Sequence, residues 1–138
     1  MSFSIGELSR RTGVKVPTIR YYEEVDLMPS PVRTEGGQRR YGSDEASRLN
    51  FIRHSRELGF DVDAIRELLA LGAQPDRSCE DVDRIARHHL SEVDLRIARL
   101  ADLRAELERM IGECDHGRVS ECRVIETLAD HDHCVGEH

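Results

Sequence analysis

From Cys79 to Ile111 the chain carries Leu90, Val93, Ile97, Leu100, Leu103, Leu107 and Met110 at three- and four-residue steps, with Glu, Asp and Arg between them. That spacing predicts one long helix with a single apolar seam. Little else in 138 residues could cover it: Trp is absent, aromatics make up 4% and charged residues 34% of the chain. An uncovered seam needs a partner, and the economical partner is a second copy of the same helix. The expected assembly is a homodimer through a coiled coil. Gly112 is expected to break the helix, with a short loop and a brief helix over 124–129 beyond it.

The first forty residues follow a different pattern. Ser4 and Glu7 stand in capping-box spacing, which starts a helix with Leu8 on its buried face. Thr12-Gly13 stops it, since Gly13 accepts the left-handed backbone of a tight turn. Pro17 suits the first turn of a second helix, where its missing N–H costs nothing. That helix carries Thr18, Arg20, Tyr21 and Tyr22 and turns Ile19 inward. Two short helices about a Gly turn make a helix-turn-helix, whose second helix enters the DNA major groove. After Gly36-Gly37, the Arg39-Arg40-Tyr41 cluster reads as a β-hairpin wing. A helix over 43–58 follows, with Leu49, Phe51 and Ile52 among its apolar positions, and Gly59 ends it. Another begins at an Asp61 N-cap, with Phe60 and Ile65 as a hydrophobic staple, and closes near Leu71-Gly72. Gln74-Pro75-Asp76 reads as a linker.

Net charge is −7, which argues against nucleic acid until it is divided. Ten of the 20 Lys and Arg but only seven of the 27 Asp and Glu fall in residues 1–56. The basic excess lies where phosphates would be gripped, and the acidic remainder suits a part that faces away from DNA and attracts cations. No apolar run approaches the roughly 20 residues of a membrane span, and no signal peptide is visible. The chain is expected in the cytoplasm. There its four cysteines serve metal binding or redox sensing rather than structural disulfides. No phosphate-cradling Gly loop or nucleophile–base pair is recognisable, so the chain is not expected to be an enzyme.

Three cysteines frame the long helix: Cys79 at its start, Cys114 and Cys122 just past its end. At about 1.5 Å per residue, Cys79 and Cys114 of one chain lie roughly 50 Å apart and cannot share an ion. In an antiparallel dimer, Cys79 of one subunit meets the Cys114–Cys122 loop of the other, and three thiolates converge at each end.

Three stretches, TIRYYEEVDLMPSPVR, then GGQRRY, then RLNFIRHSRELGF, resemble the MerR family of bacterial transcription regulators. The resemblance covers about residues 4 to 71. Where many members have an aromatic before the first wing arginine, this chain has Gln38. The resemblance implies an antiparallel coiled coil with an effector loop at each end. Cys79, Cys114 and Cys122 fall on positions that carry metal in the zinc-, cadmium- and lead-responsive members. The Cu(I)-responsive members usually have Ser where Cys79 stands. It further implies a dimer on a palindrome between over-spaced promoter elements, and DNA distortion on metal binding that lets RNA polymerase use the promoter of an export or resistance gene.

The expected fold class is mainly α: a winged helix-turn-helix DNA-binding domain (1–74), a linker and dimerisation helix forming an antiparallel coiled coil (75–111), and a metal-binding loop, short helix and His/Cys tail (112–138). Candidate DNA contacts are Lys15, Thr18, Arg20, Tyr21, Arg39, Arg40 and Tyr41. A third thiolate favours Zn²⁺, Cd²⁺ or Pb²⁺ as effector, with Hg²⁺ also tolerated. His116 or Asp115 could complete a tetrahedral site. His131, His133 and Cys134, with His138 beyond them, could form a second, looser one. His88 and His89 lie on the long helix, where at least one must face outward. Competing readings are a thiol-based redox sensor, a Cu(I)- or Hg(II)-responsive regulator, and a metal buffer without DNA binding.

Overall fold

The computed structural model describes residues 2–33, 36–37, 39–114 and 116–129 of the 138. The chain divides into two compact units, with the boundary between Ile85 and Ala86. Among the described residues, no helix is long and apolar enough to cross a membrane.

In the first unit, helix α1 (Ile5–Thr12) starts at Ser4, whose hydroxyl accepts the Glu7 N–H at 3.2 Å. Gly13 ends it at φ 75°, and its N–H donates to the Ser9 carbonyl at 2.8 Å. Thr12 fixes the turn from beneath. Its buried hydroxyl donates to the Leu8 carbonyl at 2.8 Å and accepts the Val14 N–H at 3.3 Å. Helix α2 (Val16–Glu24) carries Pro17 in its first turn, as the spacing predicts. Strands β1 (Val32–Arg33) and β2 (Arg39–Arg40) pair antiparallel, with Val32 opposite Arg40, so the wing is a hairpin. Helix α3 (Ser43–Glu57) follows, with the Glu45 carboxylate accepting the Gly42 N–H at 2.8 Å. Gly59, at φ 89°, turns the chain into α4 (Val62–Gly72), where Asp61 accepts the Ala64 N–H at 2.8 Å.

These elements enclose one small core. Leu8, Val14, Ile19, Tyr22, Leu27, Met28, Leu49, Ile52 and Ile65 are buried together, and Phe60 packs against them as the staple requires. Phe51, in contrast, is 42% exposed. Two arginines brace the segment after α2: Arg48 Nε donates to the Leu27 carbonyl at 2.6 Å, and Arg66 to that of Val25.

The expectation that Tyr41 contacts DNA is corrected here. Its side chain is 1% exposed, its hydroxyl donates to Glu23 Oε2 at 2.8 Å, and its backbone bridges to Phe3. Tyr41 is a core residue that ties the base of the wing to α2 and to the N-terminus. Replacing it with Phe removes a hydrogen bond to a carboxylate from a half-buried site. The expected cost is about 1–2 kcal/mol, read as a lower denaturation midpoint with unchanged m-value.

Helix α5 (Glu80–Gly112) is continuous over 33 residues and includes Gly112, one residue beyond the expected end. Beyond it come a single tight turn at Val119–Glu121, which the sequence reading did not anticipate, and helix α6 (Arg123–Ala129). In this second unit Glu106, Met110 and Thr127 are buried. The hydrogen bond that Arg109 donates to the Glu106 carboxylate holds the Arg109 pKa above its ordinary value. Leu90, Ile97, Leu100 and Leu107 of the seam are exposed, each more than half, whereas Met110 at its end is 3% exposed.

Candidate DNA interface and metal-binding loop

The helix-turn-helix presents Lys15, Arg20 and Tyr21 to solvent, with Thr18 half-buried beside them. Tyr21 and Tyr22 divide the work of anchoring and display. Tyr22 is buried, and its ring lies 5.8 Å from that of Tyr21 at 51°, so it props up a neighbour that is 45% exposed. Lys15 and Thr18 line a shallow depression whose far wall is Arg53, Arg56 and Glu57 of α3. Arg53 Nη1 pairs with Glu57 at 2.9 Å, while its buried Nε has no hydrogen-bond partner among the described residues.

Arg53 and Arg56 were not singled out from the sequence. The signal that could have found them is their i, i+3 spacing on the helix that follows the wing. Arg40 is half-buried, and its guanidinium donates to the Ser2 carbonyl at 2.8 Å and to the Ser2 hydroxyl. Arg39 stands on β2 opposite Arg33. Arg40, Arg48 and Arg66 thus spend donors on the protein itself, and fewer N–H groups are left for a phosphate backbone than the count of arginines suggests.

The thiols stand where the helix ends put them. Cys79 is exposed immediately before α5, with its carbonyl accepting the Asp83 N–H at 2.9 Å. Cys114 is half-buried and closes the other end, its N–H donating to the Ile111 carbonyl at 3.1 Å. Cys122, also half-buried, accepts the Glu126 N–H on its carbonyl at 2.9 Å, which starts α6. None of the three is in a disulfide. His116 lies exposed in the loop at φ 60°.

Among the described residues of one chain, no three His, Cys, Asp or Glu side chains gather to hold a metal ion. Cys79 belongs to the first unit, and Cys114 and Cys122 to the second. Cysteine sulfur is a soft donor of the kind that suits a soft divalent cation. On α5, His88 is exposed and lies 2.9 Å from Glu92, while the His89 side chain is only 12% exposed. Asp115, His131, His133, Cys134 and His138 lie outside the described residues.

Comparison with known proteins decides the family. Residues 3–71 match the MerR HTH family regulatory protein pattern and residues 46–110 match the MerR DNA-binding pattern. The chain is 41% identical over 130 residues to the HTH-type transcriptional regulator ZntR of Escherichia coli K12, covering 91% of this chain and 92% of that one. It belongs to the MerR family of transcription regulators. As a MerR protein it is a DNA-binding regulator rather than an enzyme. It is also 37% identical over 127 residues to a heavy metal-dependent transcription regulator of Rhizobium meliloti, covering 92% of this chain and 86% of that protein. Among solved structures, the transcription regulator PbrR691 from Ralstonia metallidurans CH34 in complex with lead(II) is similar, with a TM-score of 0.78 and 34% identity. That match covers 91% of this chain and 98% of the other.

Proposed function

We propose that this MerR protein is a homodimeric, cytoplasmic activator that binds a promoter palindrome through its 1–74 segment and responds to a divalent soft cation. The cation is Zn²⁺, Cd²⁺ or Pb²⁺, held by Cys114 and Cys122 of one subunit and Cys79 of the other. One observation carries the reading: thiols stand at both ends of a continuous 33-residue helix whose apolar seam is exposed in the single chain. At about 1.5 Å per residue that helix is roughly 50 Å long, so only an antiparallel partner brings the third thiol to the other two. The heavy metal-dependent relative and the lead(II)-bound structure support a metal effector.

In this reading Arg20, Tyr21 and Arg39 meet the DNA, with Lys15, Thr18 and Arg40 beside them. Arg53 and Arg56 face a phosphate across the depression. His116 is a candidate fourth donor. The regulated gene is an export or resistance gene, transcribed by RNA polymerase at the promoter the dimer occupies. The test is promoter transcription with Zn²⁺, Cd²⁺, Pb²⁺, Hg²⁺ and Cu⁺ compared side by side under reducing conditions. Activation by one of the first three is expected. Response to an oxidant alone would instead make the thiols a redox switch, and metal binding without any shift of promoter DNA would make the chain a buffer.

Arg20→Ala and Arg39→Ala are expected to weaken operator binding while leaving metal affinity nearly intact. If Arg20 reads a base edge, its loss costs about 1–3 kcal/mol and relaxes specificity at that position. Arg53→Ala is expected to weaken all DNA sequences alike and to lower the salt slope by about one. Fluorescence anisotropy at several salt concentrations separates the two behaviours, and unchanged binding in all three variants would remove the assigned face.

A further inference from the structure

Glu113 and Arg123 are the chain neighbours of Cys114 and Cys122, and they meet: Arg123 Nε lies 3.3 Å from Glu113 Oε2. The same guanidinium holds Glu126 of α6 at 3.1 Å. The other oxygen of Glu113 receives Arg109 at 3.4 Å, and Arg109 pairs in turn with Glu106, which is 6% exposed. A row of alternating charges thus runs from a buried carboxylate in the last turns of α5, across the ends of the loop, to the first turn of α6. Nothing in the DNA-binding or dimer reading uses it.

We propose that the Glu113–Arg123 pair is a clasp that keeps the ends of the Cys114–Cys122 loop together, so that both thiols stand near one another before a soft divalent cation arrives. The proposal rests on the metal reading above and adds residues that position its ligands without touching the ion. An open loop must lose conformational freedom when its two thiols gather on one ion, and that loss weakens binding. A contact that already joins the neighbours of both thiols moves part of the cost from metal binding to folding. The pair is accessible, with side chains 42% and 38% exposed, so the effect is modest. Breaking it is expected to weaken divalent affinity roughly two- to fivefold.

The test uses the full-length dimer, reduced, with cadmium in competition against a chelating dye. Cadmium–thiolate charge-transfer absorption reports whether the thiols still ligate. Arg123→Gln and Glu113→Gln should each weaken binding two- to fivefold with the absorption band retained. The double variant should lose less than the product of the two single losses, because the shared Glu113–Arg123 contact can be removed only once, whereas Glu113–Arg109 and Arg123–Glu126 are lost separately. Arg123→Lys, which keeps the charge and much of the reach, should stay within about twofold of the native protein. Circular dichroism should match throughout, since both side chains lie at the surface. A native band with both single variants binding as tightly as the native protein, or with losses that multiply in the double, would overturn the clasp alone. A native chain without the band would overturn the metal reading, and the clasp with it.

Discussion

Lysine at both Ile97 and Leu100 is expected to leave a monomer that no longer holds its operator. Both residues lie on the α5 seam and are 59% and 63% exposed in the single chain, so their burial awaits a partner. Each contributes on the order of 1.5–3 kcal/mol when fully covered. A lysine in its place either forfeits that contribution or buries an unpaired charge at greater cost. An antiparallel dimer loses two side chains from each subunit, so its association constant should fall by several powers of ten. Operator binding follows, because a monomer brings one recognition helix to a site built for two and loses the effective concentration of the second, an advantage of roughly 10²–10⁴. Sedimentation at micromolar concentration should find the native protein dimeric and the variant monomeric with its helix content largely kept. A native chain that sediments as a monomer would contradict the seam argument.

The parts of the fold governed by local rules were readable from the chain. Ser4 and Asp61 cap helices because a short polar side chain at those places satisfies a free N–H, and Gly13 and Gly59 take positive φ where a side chain would be strained. Ile19 and Ile65 sit at core positions that helical spacing alone identifies. The wing was legible as a hairpin but not in its orientation. On a strand, Arg40 and Tyr41 point to opposite sides, and which side is inward depends on the bridge from Phe3, a pairing far away in the chain. Tyr41 therefore reads as surface in the sequence and lies in the core. The same limit applies to charge: a count of arginines cannot tell that Arg48 and Arg66 hold backbone carbonyls. The turn at Val119–Glu121 left no trace, because three residues carry no periodicity. The places of Cys79 just before α5 and of Cys114 and Cys122 just beyond it follow from helix spacing alone.

Cys79→Ser is the second change with a large expected effect. If the thiol of Cys79 completes a three-thiolate site on the partner's loop, its loss should lower affinity for Cd²⁺ or Zn²⁺ on the order of a hundredfold, as expected when one of three or four strong ligands is removed. Metal-activated transcription should fall with it. Binding of Cu⁺ should change much less, because two thiolates in a line suffice for a monovalent soft ion and Cys114 with Cys122 can supply them. Equal loss for both ions would mean that Cys79 acts through the fold, and circular dichroism of the variant would show it.

The central claim is that each metal site is shared between two chains, and a mixed dimer tests it most directly. One subunit carries Cys79→Ser; the other carries Cys114→Ser and Cys122→Ser. The two are purified together through different affinity tags. If the site is shared, the intact loop of the first subunit faces the intact Cys79 of the second, and one complete set of thiols survives. Cadmium titration of this heterodimer under reducing conditions should then find one tight ion per dimer, with native affinity and a native thiolate absorption band. A heterodimer that binds no cadmium tightly, alongside a native dimer that does, would contradict the account.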